Sequence, residues 1–410
     1  MPHFARWLLG RDRLQGARDR AERKRQGKRR PHEVTFYHRA DDPHSHLLAQ
    51  ALPAFLERYP VTLRCVTVAS PDTEAVRHPE MWSAWGLRDA RELADRYLLP
   101  SGATLQMPPG PPCNIDAVHG ALERADDYLK TALDLGTAAW RGQTIDGAGP
   151  TPGLLDSNRQ ELNDRGHYLP GMLHYEGEWY WGVDRLPWLE ERLAELGVGE
   201  GTTLTRQSVA RPTTSHTLEV WGSVRSPYTY LALERLYALV EEYDLKLVLR
   251  PILPMVMRGI PAPRVKRMYI VRDAKRIADR NGTDFGFISD PLGAGVERVL
   301  AWLPRAREQG KEGELLLAAM RGIWAEGVEV ATDAGLKQVV ESVGLEWDKT
   351  AVRDERWRDE VEVNRQALVE LGLWGVPSFR IGDYTGWGQD RLWVLEDRLR
   401  AARELARGSS

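Results

Sequence analysis

The chain has 410 residues, 56 basic against 59 acidic side chains, a formal net charge of −3, 42% hydrophobic residues and two cysteines. That length suits two or three domains, each with its own core, and the near-neutral balance argues against a nucleic-acid binder along the whole chain. Cys65 and Cys113 are too far apart for a C-x-x-C redox pair or zinc-ribbon spacing, and one interdomain bridge is the most they can form.

The neutral total conceals an uneven distribution. Residues 1–31 hold eleven Lys/Arg against Asp12, Asp19 and Glu22, a surplus of +8 that leaves −11 for the remainder. Clustered cations suit an anionic partner, nucleic acid or lipid, whereas like-charge blocks repel and order poorly. The expectation is a basic, disordered leader over 1–31. Its apolar residues are little more than Phe4, Trp7, Leu8, Leu9 and Leu14, too short a set for a secretory core. No segment approaches the roughly 18 apolar residues of a membrane span, so a cytoplasmic protein is expected.

Beyond the leader the chain repeats itself. A shift of 184 positions sets Val34–Val66 over Leu218–Arg250, with Pro43, Leu47, Leu52, Ala54, Glu57, Tyr59 and Leu63 meeting identical residues. The same shift lays Arg88–Arg96 over Arg272–Arg280 with six identities in nine, and Trp140 over Trp324. Trp181–Leu186 matches Trp387–Leu392 at a shift of 206, so the second copy carries about 22 extra residues ahead of it. Two homologous domains follow, 32–197 and 216–406, joined by a Gly/Thr-rich linker over 198–215.

Within the second copy, Leu218–Trp221 reads as a short strand and Pro227 to about Tyr243 as a helix, with Leu231, Leu236, Leu239 and Val240 at helical spacing. Leu245–Leu249 alternates as a strand and stops at Arg250-Pro251. Helical periodicity fills about 263–346. Ser378–Ile381, a turn at Gly382-Asp383, another strand and a helix over Leu392–Leu405 close the copy. The class is α/β.

This order, with Val376-Pro377 entering the third strand, resembles a thioredoxin fold interrupted by a helical domain, as in the DsbA-like superfamily. Ser226–Ala232, Arg250–Leu253, Lys266–Tyr269 with Arg272-Asp273, Trp324–Gly327, Gly375–Phe379 and Trp387–Leu392 narrow the resemblance to the 2-hydroxychromene-2-carboxylate isomerases and kappa-class glutathione transferases. Two tandem thioredoxin-like folds are implied, each with an inserted helical domain, the first a degenerate copy.

Ser226 before Pro227, at a strand-to-helix turn, reads as an N-cap whose helix end favours an anion. Lowering a thiol from about 8.5 by two units takes about 2.7 kcal/mol of thiolate stabilisation, which a hydroxyl donor and a helix terminus together can supply. No cysteine stands here, so any reactive sulfur belongs to a ligand, and the resemblance implies glutathione. The plain alternative is a serine that only caps a helix. By the same resemblance the Val376-Pro377 peptide is cis and the Val376 backbone pairs with the cysteinyl segment of glutathione, which places Val376 and Pro377 at the site, Gln389 and Asp390 meet its γ-glutamyl end, and Lys266 meets a carboxylate. The families usually place an Asn near Gly259-Ile260-Pro261, and this chain has none there.

In the first copy Asp42-Pro43-His44 replaces Ser226-Pro227-Tyr228, and a carboxylate there repels a thiolate. Asp41, Asp42, His44 and His46, with His38 nearby, invite a metal reading, but residues at i and i+2 diverge, so no metal is expected. The leading expectation is a glutathione-dependent isomerase or transferase acting on a hydrophobic or aromatic electrophile. The alternatives are a non-catalytic scaffold of two degenerate thioredoxin folds and, weaker for lack of thiols, a disulfide oxidoreductase.

Overall fold

Two four-stranded sheets organise the protein, whose computed structural model describes residues 11–408. Each sheet belongs to one of two units, Gly16–Val209 and Ala210 onward.

The N-terminal unit runs β1 (Glu33–His38), α2 (Pro43–Arg58), β2 (Thr62–Thr67), α3 (Pro79–Ala94), β3 (Tyr97–Leu98), α4 (Ile115–Glu123), α5 (Tyr128–Trp140), α6 (Leu154–Asp164), β4 (Met172–Tyr175), β5 (Glu178–Trp181), α7 (Gly182–Glu195) and β6 (Thr205–Arg206), preceded by α1 (Arg11–Gly27). Its sheet order is β2-β1-β4-β5, with β1 parallel to β2 and antiparallel to β4. β3 and β6 form a separate two-stranded ladder.

The C-terminal unit runs β7 (Thr217–Gly222), α8 (Pro227–Glu242), β8 (Lys246–Pro251), α9 (Arg264–Asn281), α10 (Ala294–Glu308), α11 (Glu312–Arg321), α12 (Asp333–Ser342), α13 (Arg356–Glu370), β9 (Ser378–Ile381), β10 (Tyr384–Trp387) and α14 (Leu392–Gly408). Its sheet order is β8-β7-β9-β10, with β7 parallel to β8 and antiparallel to β9, the same pattern as in the first unit. The sheet presents Leu218, Val220, Phe379 and Ile381 to Leu236 of α8 and Leu395 of α14, all completely or almost completely buried. Burying each such side chain contributes about 1.5–3 kcal/mol. That layer fixes the ends of β7 and β9, from which the turns at Ser226 and Val376 project.

The helical stretch expected over 263–346 resolves into α9, α10, α11 and α12, with a π-helical turn at Gly322–Glu326. α9 stops at Gly282, which takes φ 70° and donates its N–H to the Ala278 carbonyl. Only glycine adopts that left-handed cap without strain.

The leader departs from expectation. Residues 11–27 are helical, and Arg18 holds Glu178 of β5 through two hydrogen bonds of 2.7 and 2.9 Å. Arg30 pairs with Glu176 at 3.0 Å. Opposite charges on the first unit therefore offset the self-repulsion that argued for disorder. The remaining leader residues, 1–10, lie outside the described residues. Among the described residues no helix is long and apolar enough to cross a membrane.

Candidate functional site

β7 ends at Gly222, and the chain turns through Ser223–Ser226 into α8. Ser226 is the N-cap: its Oγ accepts the Thr229 N–H at 3.2 Å, and Pro227 occupies the first helical turn. The same hydroxyl donates to the Val376 carbonyl at 3.4 Å, and the Val376-Pro377 peptide is cis. A serine hydroxyl, the positive end of a sixteen-residue helix and the backbone that enters β9 thus converge at one point.

Neighbouring groups fix this turn. Arg225 holds Asp290 through bonds of 2.7 and 2.8 Å, and the Trp324 indole donates to the Val224 carbonyl at 3.2 Å. Across from it, Gly375 lies against the face of Trp387, where a Cβ would approach Cζ2 to 2.1 Å. Trp387 also meets Trp374 edge-on at 4.6 Å.

Gln389 and Asp390 occupy a 3₁₀ turn, Gln389–Arg391, that follows β10. The Gly388 N–H donates to the Pro377 carbonyl at 2.8 Å, which ties this turn to the Val376-Pro377 segment. Gln389 is buried and donates its side-chain amide to the Asp390 carboxylate.

Lys266 stands in the first turn of α9, and burial lowers its ammonium pKa to about 8. Two helical turns further along the same face of α9, Asp273 accepts from Tyr228 Oη at 3.0 Å and from Arg276 at 3.0 Å. Seven residues of helix place these two positions about 10 Å apart along the axis. Ser226, Val376, Pro377, Gln389 and Asp390 thus form one connected set. Sequence reasoning gave no role to Tyr228 or Asp273, although both fall in the quoted motifs, and it missed Asp290.

The equivalent turn of the N-terminal unit uses the same capping geometry with a different charge. Asp42 caps α2 by accepting the Ser45 N–H at 2.6 Å, and burial pushes its carboxyl pKa up. The nearby histidines diverge. His44 lies between Trp85 and Trp181 with Nε2 3.4 Å from Asp89, His46 faces Trp140, and His38 Nδ1 meets Tyr128 Oη at 3.0 Å. Among the described residues no group of three or more His, Cys, Asp or Glu is placed to hold a metal ion. Both cysteines are free, Cys65 in β2 and Cys113 in a loop where its Sγ donates to the Gln143 carbonyl at 3.2 Å.

Comparison with known proteins bears on this unit. Residues 217–400 match the DSBA-like thioredoxin domain family. The 2-hydroxychromene-2-carboxylate isomerase of Pseudomonas putida is 28% identical over 198 residues, which span 45% of this chain and 95% of that protein. The isomerase of the same name from Pseudomonas sp. (strain C18) is 27% identical over 189 residues, 43% of this chain and 87% of its own. A solved 2-hydroxychromene-2-carboxylate isomerase aligns over 47% of this chain and 100% of its own at 23% identity, with a TM-score of 0.40.

Proposed function

We propose that the C-terminal unit is a glutathione-dependent isomerase or transferase acting on a hydrophobic or aromatic electrophile, with Ser226 stabilising the glutathione thiolate. The observation that carries this reading is the convergence of the Ser226 hydroxyl, the α8 N-terminus and the Val376 carbonyl, with a 3.4 Å contact between the first and the last. The two isomerases that are 28% and 27% identical to this chain over the aligned residues support the reaction class.

The donor set suits a thiolate. Ser226 has one hydroxyl hydrogen, which swings from the Val376 carbonyl to the sulfur, while Thr229 N–H still binds its oxygen. The first-turn amides and the helix dipole add stabilisation of the anion. Glutathione held here would supply a sulfur nucleophile for a conjugated double bond, released again in isomerisation and retained in transfer. Val376 pairs its backbone with the cysteinyl segment, Gln389 and Asp390 receive the γ-glutamyl amine and carboxylate, and Lys266 attracts a carboxylate.

The N-terminal unit is, on this reading, a degenerate duplicate. Support comes from the shared strand order and the shared cap-then-proline turn, Asp42-Pro43 against Ser226-Pro227. A disulfide oxidoreductase is disfavoured because residues 210–410 contain no cysteine.

Isothermal titration of the full chain with glutathione tests the proposal. Saturable heat that weakens in Ser226→Ala is expected. No heat at millimolar glutathione, or equal affinity in the variant, overturns it.

A further inference from the structure

The N-terminal unit contains a cavity of about 780 Å³ between β2, α4, α5 and α6. This volume lies within the roughly 300–1,000 Å³ typical of small-molecule sites. Its walls are rich in leucine: Leu56, Leu63, Leu122, Leu129, Leu154 and Leu155 all line it. Of the polar groups among them, Asn158 donates to the Thr67 carbonyl at 2.8 Å, whereas the buried His119 Nδ1 has no hydrogen-bond partner among the described residues. Thr67 Oγ1 and Tyr128 Oη lie 2.7 Å apart, and the same Tyr128 oxygen is bound to His38 Nδ1. Burial pushes the Cys65 thiol up to about 12, so this lining residue is a protonated, weakly polar wall group rather than a nucleophile.

The charge at the cavity is one-sided. Glu123, Asp126 and Asp127 line it, with Arg124 and Lys130 beside them. Arg64, also in the lining, is bound to Glu161 by two bonds of 2.7 and 2.8 Å. Arg124 donates to the Ala148 carbonyl at 2.9 Å, and Lys130 pairs with Asp134. The oxygens of Glu123 bind Thr151, and Asp127 Oδ1 caps α5 through the Lys130 N–H, but these are neutral donors, so the two carboxylate charges are offset only in part, by the neighbouring Arg124 and Lys130.

We propose that this cavity binds a small molecule with an apolar body of one or two rings and a protonated amine, the body against the leucine walls and the ammonium at the Glu123, Asp126 and Asp127 carboxylates. The site is chemically distinct from the Ser226 turn: glutathione is a net anion without a large apolar group, and this rim repels it. The inference does not depend on the reading of the C-terminal unit.

Fluorescence titration of the full chain with 1-naphthylmethylammonium tests it, with 1-naphthylmethanol and 1-naphthoate as the neutral and anionic comparisons. The amine is expected to bind about three- to fivefold more tightly than the alcohol, the scale of a solvent-exposed charge pair, and the naphthoate not at all. Asp126→Asn with Asp127→Asn, which keeps an N-cap side chain, brings the amine down to the level of the alcohol. Ala125→Trp, at the partly exposed edge of the lining, blocks all binding with an unchanged circular dichroism spectrum. Equal affinities for the three probes, or undiminished amine binding in both variants, overturn the proposal.

Discussion

The Tyr228 hydroxyl donates to the Asp273 carboxylate at 3.0 Å, which couples the first turn of α8 to the middle of α9. Asp273 is buried and also pairs with Arg276. Removing each partner therefore has a different cost. Tyr228→Phe loses one hydrogen bond to a charged group, about 1.5–3 kcal/mol. Asp273→Ala removes a buried carboxylate that both Tyr228 and Arg276 bind, and costs about 3–5 kcal/mol. Urea unfolding of the two variants and of the double variant measures both values and their coupling. Additive losses would show that the hydroxyl and carboxylate do not interact.

Ser226 caps α8 as Asp42 caps α2, and the two residues differ in charge, which separates stability from ligand binding. Ser226→Asp keeps a good cap, so stability changes by only a few tenths of a kcal/mol, whereas Ser226→Ala costs about 1 kcal/mol. For glutathione the order reverses in severity: the aspartate places a carboxylate beside the thiolate and abolishes binding, while the alanine only weakens it. Thermal melts and glutathione titrations on both variants check this. Tighter binding by the aspartate variant than by the alanine variant would rule out a thiolate at this turn.

At Gly375 the constraint is steric. A Cβ there reaches 2.1 Å from Cζ2 of Trp387, a ring atom that cannot swing aside freely because Trp374 packs edge-on against the same indole. Gly375→Ala is expected to destabilise the unit by about 1–3 kcal/mol, the range for overpacking a filled site, with a change in tryptophan emission. Gly282→Ala, at a φ of 70° with open space where its Cβ would stand, provides a backbone-strain comparison in which the emission stays unchanged.

Much of the C-terminal unit was legible from local chemistry. The Ser226-Pro227 cap signal put the α8 start at its observed position, Pro227, and alternation located β9 at Ser378–Ile381. The convergence of Ser226 with Val376 was legible only through the family resemblance, because 150 residues separate them and no periodicity encodes the contact. The helix α1 was misread for a related reason. Its net charge is a local property, but the residues that compensate it, Glu176 and Glu178, lie about 150 positions further along. The Tyr228–Asp273 bond and the closeness of Gly375 to Trp387 are side-chain geometries that residue types alone do not specify.

The two units should also differ in acid stability, because nine of the ten histidines precede residue 210. Burial lowers the pKa of His38 to about 3 and those of His46, His119 and His174 to about 4. In the unfolded chain these side chains titrate near 6.5. Between that value and their folded-state values the unfolded chain binds more protons, so their contribution to stability is fully present above about pH 6.5 and is lost as the pH falls toward 4. Residues 210–410 contain a single histidine, His216, which is exposed. Hydrogen-exchange mass spectrometry between pH 7 and pH 4.5, corrected for intrinsic rates, should show β1 (Glu33–His38) losing protection before β7 (Thr217–Gly222). Replacing His46, which faces Trp140, with the uncharged isostere His46→Gln should move the β1 transition to lower pH. Simultaneous loss in both strands, or earlier loss in β7, would show that carboxylates rather than these histidines govern acid unfolding.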